Sequence, residues 1–200
     1  MNVYSLSKEE LAIRGRDLAL EFLNVNDLNP PEYMIRSMRH LIGGKPKGSY
    51  GCGFYFPNSH RIIVSADDCS LPSPGLPRRW SFPGYITDRT PMGVMAHETG
   101  HAVDKLMGYP SNHGFSCKAI RGERLTSYEP NSSEKFAETM RLFILNPGLL
   151  HQVAPQRYAF VRRELGIKPL FKIGDPLKVL KSRGATGKIL DAAIKKASQA

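Results

Sequence analysis

The chain has 200 residues, 41% of them hydrophobic and 23% charged, a balance that fits one ordinary domain with a buried core and excludes a disordered polyelectrolyte. No apolar run approaches the roughly 18 residues needed to cross a membrane. Net charge is +10, and residues 151–200 carry eleven Lys/Arg against Glu164, Asp175 and Asp191, which is +8 in the last quarter.

The opening segment MNVYSLSKEELAIRGRDLALEF lacks the basic start, apolar stretch and cleavage site of a secretory signal. The expected compartment is therefore the cytoplasm, with delivery by a signal-independent route or inclusion in a larger particle also compatible. In the same segment Ser7 and Glu10 form a capping-box pair, and Leu11, Leu18, Phe22 and Leu23 make the apolar stripe of a first helix. Asn29-Pro30-Pro31 breaks it. Glu32 to Ile42 reads as a second helix, ended by Gly43-Gly44.

Residues Ser49–Ser65 change character. Tyr50, Phe54, Tyr55 and Phe56, then Ile62, Ile63 and Val64, flank Pro57-Asn58-Ser59, which signals a hairpin. Residues 67–90 are loop-like, rich in Pro and Gly, with Trp80 and Phe82 as expected anchors. Thr90-Pro91 caps and starts a helix that runs to about Met107 and stops at Gly108. Another begins near Asn131 and stops at Asn146-Pro147-Gly148. Two or three basic helical segments follow, interrupted at Gly166, Pro176 and Gly184. The expected organisation is a domain over residues 1–150 and a basic helical extension over 151–200, packed on it or appended to it.

The three cysteines, Cys52, Cys69 and Cys117, are odd in number and widely spaced, which argues against a disulfide framework or a cysteine metal site. Gly184 to Lys188 resembles a phosphate loop only superficially, because the spacing is short and no Ser/Thr follows the lysine.

One motif carries chemistry. Within Pro91–Met107, His97-Glu98-Thr-Gly-His101 is an HExxH sequence on an expected helix. At about 3.6 residues per turn the two imidazoles stand one above the other and can converge on a single tetrahedral zinc ion. Glu98 is rotated roughly 100° along the helix, where its carboxylate can take a proton from a zinc-activated water attacking a carbonyl. Its neighbours Val94, Met95, Ala96, Thr99, Ala102 and Val103 are uncharged, unlike the exposed helix on which a chance match would fall. Two histidines leave the site one ligand short. The HExxHxxGxxH extension is absent, since positions 104 and 107 are Asp and Met. The helix beginning at Asn131 offers Glu134 and Glu138 one turn apart, one to ligate and one to orient, although a Glu pair at this spacing is also a common solvated face. His40, His60, His113 and His151 have no ligand spacing, and Asp104 reads as a local polar contact.

HETGH, then Tyr128, then Glu134-Lys-Phe-Ala-Glu138-Thr-Met-Arg-Leu resembles the gluzincin peptidases of the anthrax lethal factor and Pro-Pro endopeptidase type. The resemblance covers roughly residues 90–146. It implies a zincin-like α+β domain holding one Zn2+ per chain. Glu134 becomes the third ligand, Glu138 the carboxylate that supports a histidine, and Tyr128 the phenol that hydrogen-bonds the oxyanion. Tyr128 precedes Glu134 by six residues where the family usually has seven, and the shortening falls in Glu129-Pro130. A rival resemblance is to the ImmA/IrrE-like peptidases of mobile elements, whose Glu-Ala-Asn signature is missing here.

The expected architecture is an HExxH helix under a small, mainly antiparallel sheet, with a second ligand helix downstream. The hairpin at 50–65 would provide the edge strand bordering the cleft, where an extended peptide can add as a strand. The expected activity is zinc-dependent hydrolysis of a protein or peptide substrate, with Glu98 as base. The competing class is a zinc-stabilised binding protein of a larger assembly, its basic tail at residues 151–200 docking nucleic acid or another acidic partner.

Overall fold

Ser7 opens the first helix, α1 (Lys8–Val25), as its capping box requires: its hydroxyl accepts the Glu10 N–H at 3.2 Å, and the Glu10 carboxylate accepts the Ser7 N–H at 2.7 Å. The computed structural model describes residues 6–36, 52–70, 88–116, 120, 122–123, 125–126 and 128–171. Leu11, Ala12, Ala19, Phe22 and Leu23 form the buried face of α1.

The segment expected to continue as a helix from Glu32 is instead a strand, β1 (Glu32–Ile35). Pro31 biases Pro30 away from helical backbone and toward an extended conformation as the chain enters. Backbone bonds from Glu32 N–H to His60 O at 3.0 Å and from Arg36 N–H to Val64 O at 3.1 Å then fasten it to a neighbour. The rest of that expected helix, with Gly43-Gly44, lies outside the described residues, as do Trp80, Phe82, Cys117, Pro176 and Gly184.

The expected hairpin is present as β2 (Gly53–Phe56) and β3 (Arg61–Val64), antiparallel with Gly53 opposite Val64. Its turn is held by His60, which donates from Nε2 to Asn29 O at 3.1 Å and accepts the Tyr55 hydroxyl on Nδ1 at 3.0 Å. β1 pairs with the other side of β3 in parallel, Glu32 opposite Arg61. The sheet order is therefore β1-β3-β2, and the sheet is mixed rather than mainly antiparallel. β2 is one of its edges.

Thr90 caps α2 (Pro91–Leu106) by accepting the Gly93 N–H at 3.1 Å, and Pro91 occupies its first turn. In its last turn, Asp104 accepts both the N–H and the hydroxyl of Ser111 beyond the helix, at 3.0 and 2.6 Å, which makes it the local polar contact its position suggests. Asn131 caps α3 (Ser132–Leu145) through the Glu134 N–H at 2.9 Å. Two short helices follow, α4 (Pro147–Val153) and α5 (Pro155–Ala159), and α5 runs into a π turn at Phe160–Glu164.

α2 is the centre of the molecule. Val94, Met95 and Ala102 pack on Ile62 and Val64 of the sheet. Met92, Ala96 and Val103 join the larger core with Leu11 and Phe22 of α1, Phe136, Met140 and Phe143 of α3, and Leu149, Tyr158, Val161 and Ile167 beyond. Gly100 of α2 lies against Ala137 of α3 so closely that a Cβ there would sit 2.8 Å from the Ala137 Cα. Among the described residues no helix is long and apolar enough to cross a membrane.

Candidate metal centre

Because α2 and α3 pack side by side, the helix face carrying His97 and His101 meets the first turns of α3, where Glu134 sits. One nitrogen from each histidine and one Glu134 oxygen lie within 4.8 Å of one another, so the three residues could hold a metal ion. The Glu134 Oε2 is 3.0 Å from His97 Nε2 and 3.6 Å from His101 Nε2. Those spacings bracket the edge of about 3.3 Å in a tetrahedron whose centre lies about 2.0–2.1 Å from each corner. The group has the HExxH-plus-downstream-Glu arrangement that the sequence suggests.

The outer nitrogens of both imidazoles are engaged, which leaves the Nε2 atoms facing inward. His97 donates from Nδ1 to Glu138 Oε1 at 2.8 Å, and His101 Nδ1 lies 3.2 Å from the Ser133 hydroxyl. Glu138 is clamped in turn by Arg141, whose Nε and Nη2 donate to the two carboxylate oxygens at 3.0 Å each. Both side chains of that pair are buried. Asp88, at the start of α2, is within electrostatic reach of Arg141 and accepts the Thr90 N–H and hydroxyl at 2.9 and 2.7 Å.

The electrostatics suit a cation. Burial opposes charge on His97, but Glu134 and Glu138 outweigh it and lift the imidazole up to about 10. Burial likewise opposes ionisation of Glu138, and the Arg141 guanidinium with His97 holds that carboxyl down at about 2. Glu134 stays well below the usual carboxylate range because His101 and His97 overcome its partial burial.

Glu98 is only 8% exposed and is not one of the three converging residues. Burial raises its proton affinity, partly offset by His97 and His101 and, to a lesser extent, by the Tyr55 backbone of β2. β2 crosses directly above it: a Cβ on Gly53 would lie 3.0 Å from Glu98 Cγ and 2.3 Å from Val94 Cγ1, so only glycine lets the edge strand come this near. Tyr128 is 47% exposed with its ring 5.8 Å from the His97 ring. Partial burial and the nearby Glu134, Glu98 and Glu138 carboxylates raise its phenol, which keeps the hydroxyl a donor.

Sequence reading missed Ser133, Arg141 and Asp88. The one available signal was Arg141 itself, a charge inside the apolar run Thr-Met-Arg-Leu-Phe-Ile, three residues after Glu138. His60 and His151 stand apart from this centre, the former in the β2–β3 turn and the latter edge-on to Tyr158 with 4.9 Å between ring centroids. Compared with known proteins, the chain matches no family model, and no curated protein or solved structure matches it significantly.

Proposed function

We propose that the chain is a zinc-dependent endopeptidase of the gluzincin type, similar in its site to the lethal factor and Pro-Pro endopeptidase group. His97, His101 and Glu134 hold the ion, and Glu138 fixes the tautomer of His97. When bound, zinc lowers the pKa of water and polarises a carbonyl oxygen. Glu98 takes the proton from the attacking water and passes it to the leaving amine. Tyr128 donates its hydroxyl to the oxyanion. The substrate is a protein or peptide segment lying extended along β2.

The observation that carries this reading is Glu98: a buried carboxylate with raised proton affinity beside three convergent ligand atoms, yet not one of them. A site holding zinc for folding alone has no use for an acid there. Glu98→Gln keeps size and hydrogen-bonding shape while removing the proton acceptor. The variant should fold, keep its zinc, and hydrolyse peptides at least about 10²-fold more slowly. Identical cleavage profiles for wild type and Glu98→Gln across a complex protein mixture would replace the peptidase with a zinc-stabilised scaffold.

A further inference from the structure

Tyr128 is half exposed, and its backbone N–H is fastened only locally, to the Thr126 hydroxyl at 3.2 Å. The same stretch is also bonded to a buried cation from far downstream. Arg157 of α5, with a side chain sealed from solvent, donates from Nη1 to Glu129 Oε1 and from Nη2 to Glu129 Oε2, each at 3.0 Å. The same guanidinium reaches α3 at the Thr139 hydroxyl, 3.3 Å, and the Lys135 carbonyl, 3.4 Å, and also donates to the Glu123 carbonyl. Glu129 then uses Oε1 to accept the Leu125 and Thr126 N–H groups at 3.0 and 3.3 Å. At the other end of the stretch, the Glu123 carboxylate accepts the Gln156 and Arg157 N–H groups, both at 2.9 Å.

One guanidinium therefore ties Glu123 and Glu129, and through Glu129 also Leu125 and Thr126, to α5 and to the helix that carries Glu134 and Glu138. A buried ion pair of this kind contributes little net stability compared with well-packed apolar side chains; what the fork does supply is a fixed geometry among Glu129, Glu123 and α3. Lysine cannot replace it, because only the planar fork meets both carboxylate oxygens and the α3 acceptors together.

We propose that Arg157 is a positioning residue for Tyr128: through Glu129 it sets the height of the phenol over His97 relative to α3. The inference rests on the reading of Tyr128 as the oxyanion donor. It makes part of the segment beyond residue 150 a component of the site.

The test uses the full zinc-loaded chain and Arg157→Lys. Amide exchange at Leu125, Thr126 and Tyr128 should quicken about tenfold or more, while the central amides of α2 and α3 keep wild-type protection. On the fastest-cut member of a peptide library, kcat should fall about tenfold or more with KM nearly unchanged, since misplacement of a group that meets only the transition state acts on kcat. Introduced into Tyr128→Phe, Arg157→Lys should cause no further loss of kcat. Should Arg157→Lys fail to fold, Glu129→Gln breaks the same fork from the other side and carries the same expectations. An equal fall in kcat in both backgrounds would overturn the proposal, as general destabilisation does not depend on Tyr128. Unchanged exchange at the three amides, with kcat lowered in Tyr128→Phe, would overturn the clamp alone. Full kcat in Tyr128→Phe would instead overturn the reading of Tyr128 and the catalytic half of this proposal with it.

Discussion

The Nδ1 of His97 lies 2.8 Å from the Oε1 of Glu138, a contact between residues 41 positions apart that commits the opposite ring nitrogen to the space shared with His101 and Glu134. The Arg141 fork keeps that carboxylate from turning. The chain thus separates the group that would touch an ion from the groups that aim it, and the two kinds fail differently when removed.

Purified protein should hold about one zinc per chain, and chelator competition should rank the variants. Glu134→Ala removes a donor atom and should nearly abolish retention. Glu138→Ala leaves three donors but frees the His97 ring, which should weaken binding about 10–100-fold. Full retention in Glu134→Ala would exclude it as a ligand.

Tyr128→Phe deletes one hydroxyl and leaves the ring beside His97. If that hydroxyl meets only the oxyanion, kcat should fall roughly 10²-fold with little change in KM and none in zinc content. An unaltered kcat would mean the six-residue spacing to Glu134 puts the phenol out of reach.

Asp88 sets a pH dependence away from the ion. Burial pushes its carboxyl up to about 6 from an ordinary 3.8, with Arg141 and Thr90 pulling it back, and its Oδ2 has no hydrogen-bond partner among the described residues. The folded chain holds this proton more tightly than the unfolded one, so Asp88 favours folding below about pH 4 and that contribution is lost as pH rises through 6. Asp88→Asn keeps an acceptor for Thr90 but cannot ionise. Relative to wild type it should gain stability between about pH 4 and 7, by about 3 kcal/mol at most. Denaturant melts of the two proteins that shift in parallel over that range would refute this.

Cutting the chain at two places tells core from charge. A chain ending at Leu150 lacks Arg157, Tyr158, Val161 and Ile167, all buried, and at about 3–5 kcal/mol for a single large core side chain it should not fold cooperatively. A chain ending at Phe171 keeps every described contact and should melt cooperatively with its zinc. It discards Lys172, Lys178, Lys181, Arg183, Lys188, Lys195 and Lys196 against only Asp175 and Asp191, so heparin retention at low salt should drop. Equal retention by the two folded proteins would remove residues 172–200 as a polyanion arm.

Much of this architecture was legible because it is written locally. The capping box at Ser7, Thr90-Pro91 and Asn131 announce three helices from side chains within four residues of each start, and HETGH declares its own helix face. The hairpin is likewise a neighbour-to-neighbour feature. β1 is not: its four residues pair in parallel with a strand centred some thirty positions on, and nothing in Glu-Tyr-Met-Ile requires a strand until that partner exists. The aiming groups share this property. Ser133 has an ordinary helical position, and only the packing of α3 on α2 gives it a histidine to hold; Arg141 meets its carboxylate on α3 itself, three residues after Glu138, and the packing adds the histidine that Glu138 supports.

Gly100 has no donor atom, yet it bears on which ions the His97, His101 and Glu134 group could accept. Its missing methyl lets α2 rest on the Ala137 main chain, and that contact fixes how far Glu134 stands from the two imidazoles. Gly100→Ala would leave all three donors intact and push the helices apart by several tenths of an ångström, since a Cβ at 2.8 Å from backbone has no flexible neighbour to yield. The cage would dilate, and its preference should drift from zinc toward a larger ion such as cadmium. Ionic radius would thus be gauged by the closeness of two helices, at a position that never meets the ion.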